Sequence, residues 1–264
     1  MINEQLVNLS NDFFQNSLDA SPTSAIMRGH KAYFDKIEEL TEEQFEIDSK
    51  NVDDYLKRLR EIELNSLSNR EKVTYGMLEF ALGSNKDSLL DKGWEFSAGV
   101  AGFTGFLIDY NQQMFIPDME SADLLLKRLE LYKRLFNQIA YVQKTGLENN
   151  RVATERNLLR TIDQLENYLE TTLENDPLLL VNFSPDFSDG DISNWKEKAK
   201  VIIESNIRPN VLSYLEQLRT ERIPMGRSND TSGIMWIEGG KEVYLRSLRK
   251  YTGHKDTTVK EVQA

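Results

Sequence analysis

The stretch that decides the fold is Leu124-Leu-Leu-Lys-Arg-Leu129-Glu-Leu-Tyr132-Lys-Arg-Leu-Phe136-Asn-Gln-Ile139. Leu125, Leu129, Tyr132, Phe136 and Ile139 recur at intervals of 4, 3, 4 and 3. A 3.6-residue repeat puts all five on one face of a helix. Lys127, Arg128, Glu130, Lys133 and Arg134 fall mainly on the other side. The spacing predicts one long helix that begins after Pro117 and takes its C-terminal cap at Gly146.

The same grammar extends in both directions. Upstream, a first helix is predicted from Glu4 to Leu18, stopping before Ser21-Pro22, because the residue before a proline resists the α region. Thr41-Glu-Glu-Gln44 and Ser68-Asn-Arg-Glu71 fit the capping box and predict helices over 41–64 and 69–82. Downstream, Leu158, Ile162, Leu165 and Leu169 predict a helix that ends before Asp176-Pro177. Another, over 192–220, contains Pro209, which should kink or break it. A last amphipathic stretch runs from Lys241 to Lys250 with Val243, Tyr244, Leu245 and Leu248. The one run that reads as a strand is Gly233-Ile-Met-Trp-Ile237. There is no internal repeat and no low-complexity linker. The expectation is an all-α protein of long antiparallel helices, a single helical domain over 1–264.

Composition limits the function. Of 264 residues 39% are hydrophobic, enough for a core. A net charge of −11 argues against nucleic acid or an anionic membrane as partner, since phosphate binding needs a basic face. Without cysteine there is no disulfide, Cys-based zinc site or thiol chemistry. The two histidines, His30 and His254, lie far apart in sequence. The longest uncharged stretch, Phe96 to Ile108, is 13 residues, against about 20 for a membrane span. With a polar, acidic start the chain reads as soluble and cytoplasmic.

Several motifs invite chemistry and then fail its requirements. Gly99, Gly102 and Gly105 lack the G-x-G-x-x-G spacing and a preceding strand, and read as a close-packed connection. Asp186, Asp189 and Asp191 surround Gly190 without the order of a calcium loop, and read as a solvated loop that caps the next helix. His30, beside Gly29, has no Ser or acidic partner set by spacing and reads as a turn histidine. Gly226-Arg227 and Trp236-Ile-Glu-Gly239-Gly240-Lys-Glu-Val-Tyr244 are more distinctive. Paired glycines that open a helix let a backbone or a ligand approach closely, although a tight loop-to-helix turn explains them too.

Taken in order, these features resemble a large bacterial family, domain of unknown function 885. The resemblance rests on Ser21-Pro-Thr-Ser-Ala25 with Gly29-His30, on Leu67-Ser-Asn-Arg-Glu-Lys-Val-Thr-Tyr75, and on Phe115-Ile-Pro117 with Tyr132, Phe136, Gly146, Arg151 and Val152. It continues through Arg208-Pro209, Tyr214, Leu218, Pro224, Arg227, Gly233, Gly239-Gly240, Tyr244 and Thr252. That family is similar to all-helical zinc peptidases. The resemblance therefore implies the N-terminal half of a gluzincin-like body, in which a His-Glu-x-x-His helix in the other half would hold zinc. No His-Glu pair occurs here, so no catalytic, cofactor or metal residue is assigned, and zinc is implied only for the complete family fold. Glu238 stands where the family has a proline before the paired glycines. The residues expected to face a substrate or partner are Arg227, Gly239, Gly240 and Tyr244. The implied partners are a C-terminal catalytic half, a second copy of the chain or a peptide-like ligand. Family members are often exported. The alternative is a stand-alone helical binding protein on the same scaffold.

Overall fold

The computed structural model describes residues 3–97, 110–253, 258 and 261. Gly99, Gly102, Gly105 and His254 lie outside the described residues. The fold is all-α. Ten α-helices are described: α1 (Glu4–Ala20), α2 (Pro22–Met27), α3 (Glu42–Arg60), α4 (Asn69–Asp91), α5 (Met119–Glu130), α6 (Tyr132–Glu148), α7 (Glu155–Glu170), α8 (Asp189–Ile202), α9 (Arg208–Gln217) and α10 (Gly240–Thr252). None of the described helices is long and apolar enough to cross a membrane.

The chain divides into two compact units, one of Met1–Ser17, Thr41–Gly93 and Ser232–Ala264, the other of Leu18–Leu40 and Trp94–Thr231. Each has its own core. In the first, Leu6 and Leu9 of α1, Val52, Leu56 and Leu59 of α3, and Leu78 and Leu82 of α4 pack with Ile62 and Leu67, nine buried residues among those described. Phe13 meets Tyr55 edge-on with centroids 6.3 Å apart. The second unit buries 32 of its described residues in one cluster, built on the stripe Leu125, Leu129, Tyr132, Phe136 and Ile139.

That stripe is continuous, but the helix that carries it is not. At Leu131 the amide bonds back three residues to the Arg128 carbonyl (3.0 Å), a tightened turn that separates α5 from α6. The expected cap at Gly146 is corrected too. Gly146 is buried inside α6, where a Cβ would overlap the Glu95 carbonyl oxygen and come within 2.9 Å of the Arg151 oxygen. It is a close-approach glycine, and the helix ends two residues later. Ser21-Pro22 opens α2, with Pro22 at its first turn where a missing N–H costs nothing.

Pro209 acts as expected and reveals how the break is absorbed. The chain widens into a π-turn over Ile203–Ile207, and Pro209 enters the first turn of α9. The Asn210 side-chain amide donates to the Asn206 carbonyl at 2.6 Å just past the break. A second π-turn, Leu218–Arg222, ends this run. Gly233-Ile-Met-Trp-Ile237 is corrected from a strand to a 3₁₀ turn over Ile234–Trp236. The sheet lies elsewhere: β1 (Phe115–Ile116) pairs in parallel with β2 (Asn182–Phe183).

Candidate functional site

The caps show how the sequence sets these elements. Ser68 and Glu71 form the full reciprocal box at α4, and the other Glu71 carboxylate oxygen accepts the Asn3 amide at 2.7 Å. Those bonds hold the Glu71 carboxyl down at about 2. Ser188 and Asp191 form the same box at α8, so the acidic loop caps the next helix, as its sequence suggested. At α3 the Thr41 hydroxyl accepts the Gln44 amide, but the Gln44 side chain bonds Asp48 instead of closing the box.

The residues singled out for binding fall in both units. Gly239, Gly240 and Tyr244 come together at the start of α10. Gly239 takes the left-handed region (φ +67°), which glycine reaches without strain. A Cβ on Gly240 would overlap the Ile234 carbonyl oxygen and lie 2.8 Å from its carbon, so this pair makes the tight turn the motif suggested. Tyr244 is half-buried on the same helix. Arg227 belongs to the other unit and is spent on backbone. Its Nε donates to the Val152 carbonyl at 2.7 Å, its Nη1 donates to the Thr231 carbonyl, and Thr154 and Arg227 form a parallel bridge. Desolvation lowers its pKa. His30 lies at the turn after Gly29 (φ +85°), edge-on to Tyr33 at 6.4 Å, as a turn histidine should.

The Ser21-Pro-Thr motif has a structural explanation. The amide and hydroxyl of Thr23 donate to Glu38 at 2.9 and 2.8 Å, and the fully buried Arg128 donates to the Thr23 hydroxyl at 2.5 Å. A second buried polar centre was not legible in sequence. Tyr214 donates to the Gln143 side chain at 2.7 Å, and burial pushes its phenol up to about 12. Arg222, 2% exposed, donates to the Gln143 carbonyl at 2.6 Å. Among the described residues its Nε and Nη2 have no hydrogen-bond partner, and desolvation lowers its pKa.

The first unit also holds a cavity of about 430 Å³ between the end of α3, the middle of α4 and the end of α10. Leu56, Leu59, Tyr75 and Phe80 supply apolar walls, and Gly76 and Gly83, two turns apart on α4, leave the helix backbone open. A Cβ on either glycine meets nothing within 4 Å. Arg60, Lys86, Arg249 and Lys250 stand at its polar margin with Glu79 and Asp87. No sequence motif marked it, because its walls come from three separated segments.

Among the described residues no group of three or more His, Asp or Glu gathers to hold a metal ion.

The chain matches the family described as bacterial protein of unknown function (DUF885) over residues 22–264, and it belongs to that family. Its fold is similar to a crystal structure titled as that of "the putative lipoprotein from Colwellia psychrerythraea", with a TM-score of 0.74 and 15% identity. The match covers 96% of this chain and 47% of that one, so the chain spans about half the length of that protein. At this identity the likeness speaks for the fold alone. No curated protein matches the chain.

Proposed function

We propose that this chain is the N-terminal helical scaffold half of a metallopeptidase-like, hydrolase-related protein, inactive alone, whose zinc chemistry belongs to a C-terminal half. The observation that carries this reading is α4, which is apolar on two sides. Leu78 and Leu82 are buried, while Val73, Met77 and Phe80, at helical spacing, are 62%, 68% and 49% exposed. An apolar stripe left exposed on a helix marks a contact surface. The nine-residue core of the same unit supports the reading, as does a related fold with about as much chain again. In this account the α4 stripe meets the catalytic half, and Arg227, Gly239, Gly240 and Tyr244 face that half or its peptide-like substrate.

The test uses this chain alone and mixed with the C-terminal half of a family member. Alone it should self-associate in sedimentation, retain no stoichiometric zinc and cleave no peptide. The double variant Met77→Glu, Phe80→Glu should abolish both self-association and capture of the other half while the helical circular dichroism stays. One equivalent of bound zinc, with cleavage lost on chelation, sinks the proposal.

A second reading, a stand-alone helical binding protein, is favoured by the cavity beside α4. A monodisperse monomer with unchanged behaviour in the double variant would select it.

A further inference from the structure

The geometry points to the cavity between α3, α4 and α10 as a binding site for a small organic carboxylate with a flat apolar body. Its volume of about 430 Å³ lies within the range of roughly 300–1,000 Å³ occupied by small-molecule sites. Phe80 and Tyr75 offer aromatic surface, and the open backbone at Gly76 and Gly83 lets a planar group lie close against the helix.

The margin selects charge. In a protein of net −11, four cations and two carboxylates line this one cavity. The cations arrive because α3 and α10 both end here. Arg60 is the last residue of α3, and Arg249 and Lys250 are in the last turn of α10, where cations complement the helix carbonyls. Among the described residues Arg60 has no side-chain partner, Lys250 makes one long contact to the Ser88 hydroxyl (3.4 Å), and Arg249 reaches Asp87 at 3.3–3.4 Å. Asp87 is thereby partly neutralised, and Lys86 holds Asp53 at 2.5 Å. The ligand's carboxylate belongs at the Arg60 and Lys250 end, with its body over the glycines. A guanidinium with free donors suits a carboxylate because two parallel N–H groups match two oxygens.

Phe80 is shared with the Val73–Met77–Phe80 stripe, so the site is tested on the chain alone, where failure of ligand binding is distinguishable from failure of capture of a second half. The probes are 2-naphthylacetate and its neutral isostere 2-naphthaleneethanol, titrated by naphthalene fluorescence and by amide chemical shifts. The acid should bind saturably at millimolar concentration or below, weaken with added salt and outcompete the alcohol. Arg60→Gln should weaken the acid by about ten-fold and leave the alcohol unchanged. Gly83→Leu, which places a side chain in the empty space, should abolish binding without lowering the melting temperature, because leucine favours a helix over glycine. Equal affinity for acid and alcohol overturns the charge assignment. Absence of saturable binding, or binding that survives Gly83→Leu, overturns the site.

Discussion

Three glycines on helices meet opposite surroundings, and the difference sets what each tolerates. Gly240 is buried with the Ile234 carbonyl against the place a Cβ would take, so Gly240→Ala must push the 3₁₀ turn away from α10. Gly146 has the same relation to the Glu95 carbonyl. Gly76 faces open space within α4, where glycine only weakens the helix. We expect Gly240→Ala to destabilise by about 2 kcal/mol or more, as overpacking against backbone does, and Gly76→Ala to stabilise by roughly 0.5–1 kcal/mol. Urea denaturation of the two variants reads both, and a Gly240→Ala protein as stable as the parent would refute the close approach. The need for glycine at 239–240 was legible, because a paired glycine before an amphipathic run is a turn signal. The need at 146 was not, since the obstructing carbonyl belongs to Glu95, far upstream in the chain.

At the scale of the element, caps carry a measurable pH dependence. One carboxylate, Glu71, serves the start of α4 through Ser68 and the start of α1 through the Asn3 amide. Its pKa in the folded chain is about 2 against an ordinary 4.5, so the folded state favours the ionised form. A lowered carboxyl pKa stabilises fully above the unfolded value and loses that contribution as pH falls from 4.5 towards 2. Asp118, which caps α5 and pairs with Lys31, is also held at about 2 and titrates in the same direction. Glu71→Gln should therefore lower stability at pH 7, with a gap to the parent that narrows between pH 4.5 and 2. Denaturant midpoints at pH 7 and pH 3 measure it, and an equal gap at both values would contradict the assignment. The capping box at Ser68 could be read from four letters, since its donors and acceptors lie within one turn. The full extent of α4 to Asp91 could not, because its later turns are held by α10, through Arg246 on Asp91 and Arg249 on Asp87.

Among the described residues the two cores are unequal, with nine residues in one unit and 32 in the other. Buried apolar area is the main favourable term in folding, so local stability should follow it. Hydrogen exchange should accordingly open α3, α4 and α10 before α6, α7 and α9 in the isolated chain. Protection that is equal in the two sets would show that the small core is sufficient. If a second half or a second copy covers the α4 stripe, its addition should raise protection first on α4, by simple mass action.

What the sequence determined by itself is what short-range physics controls: the helical class, the buried stripe of α5 and α6, the Ser68 cap, the acidic loop that caps α8, the break at Pro209 and the turn at Gly239-Gly240. Each depends on residues within a turn or two of one another, so spacing alone expresses it. The tertiary structure alone decided the rest. It set the division into two units, the β1–β2 pair, the role of Gly146, the buried Arg222 and the cavity where Arg60, Gly83 and Lys250 meet. These depend on which distant segments share a space, and that is settled by packing and desolvation over the whole chain rather than by any local pattern.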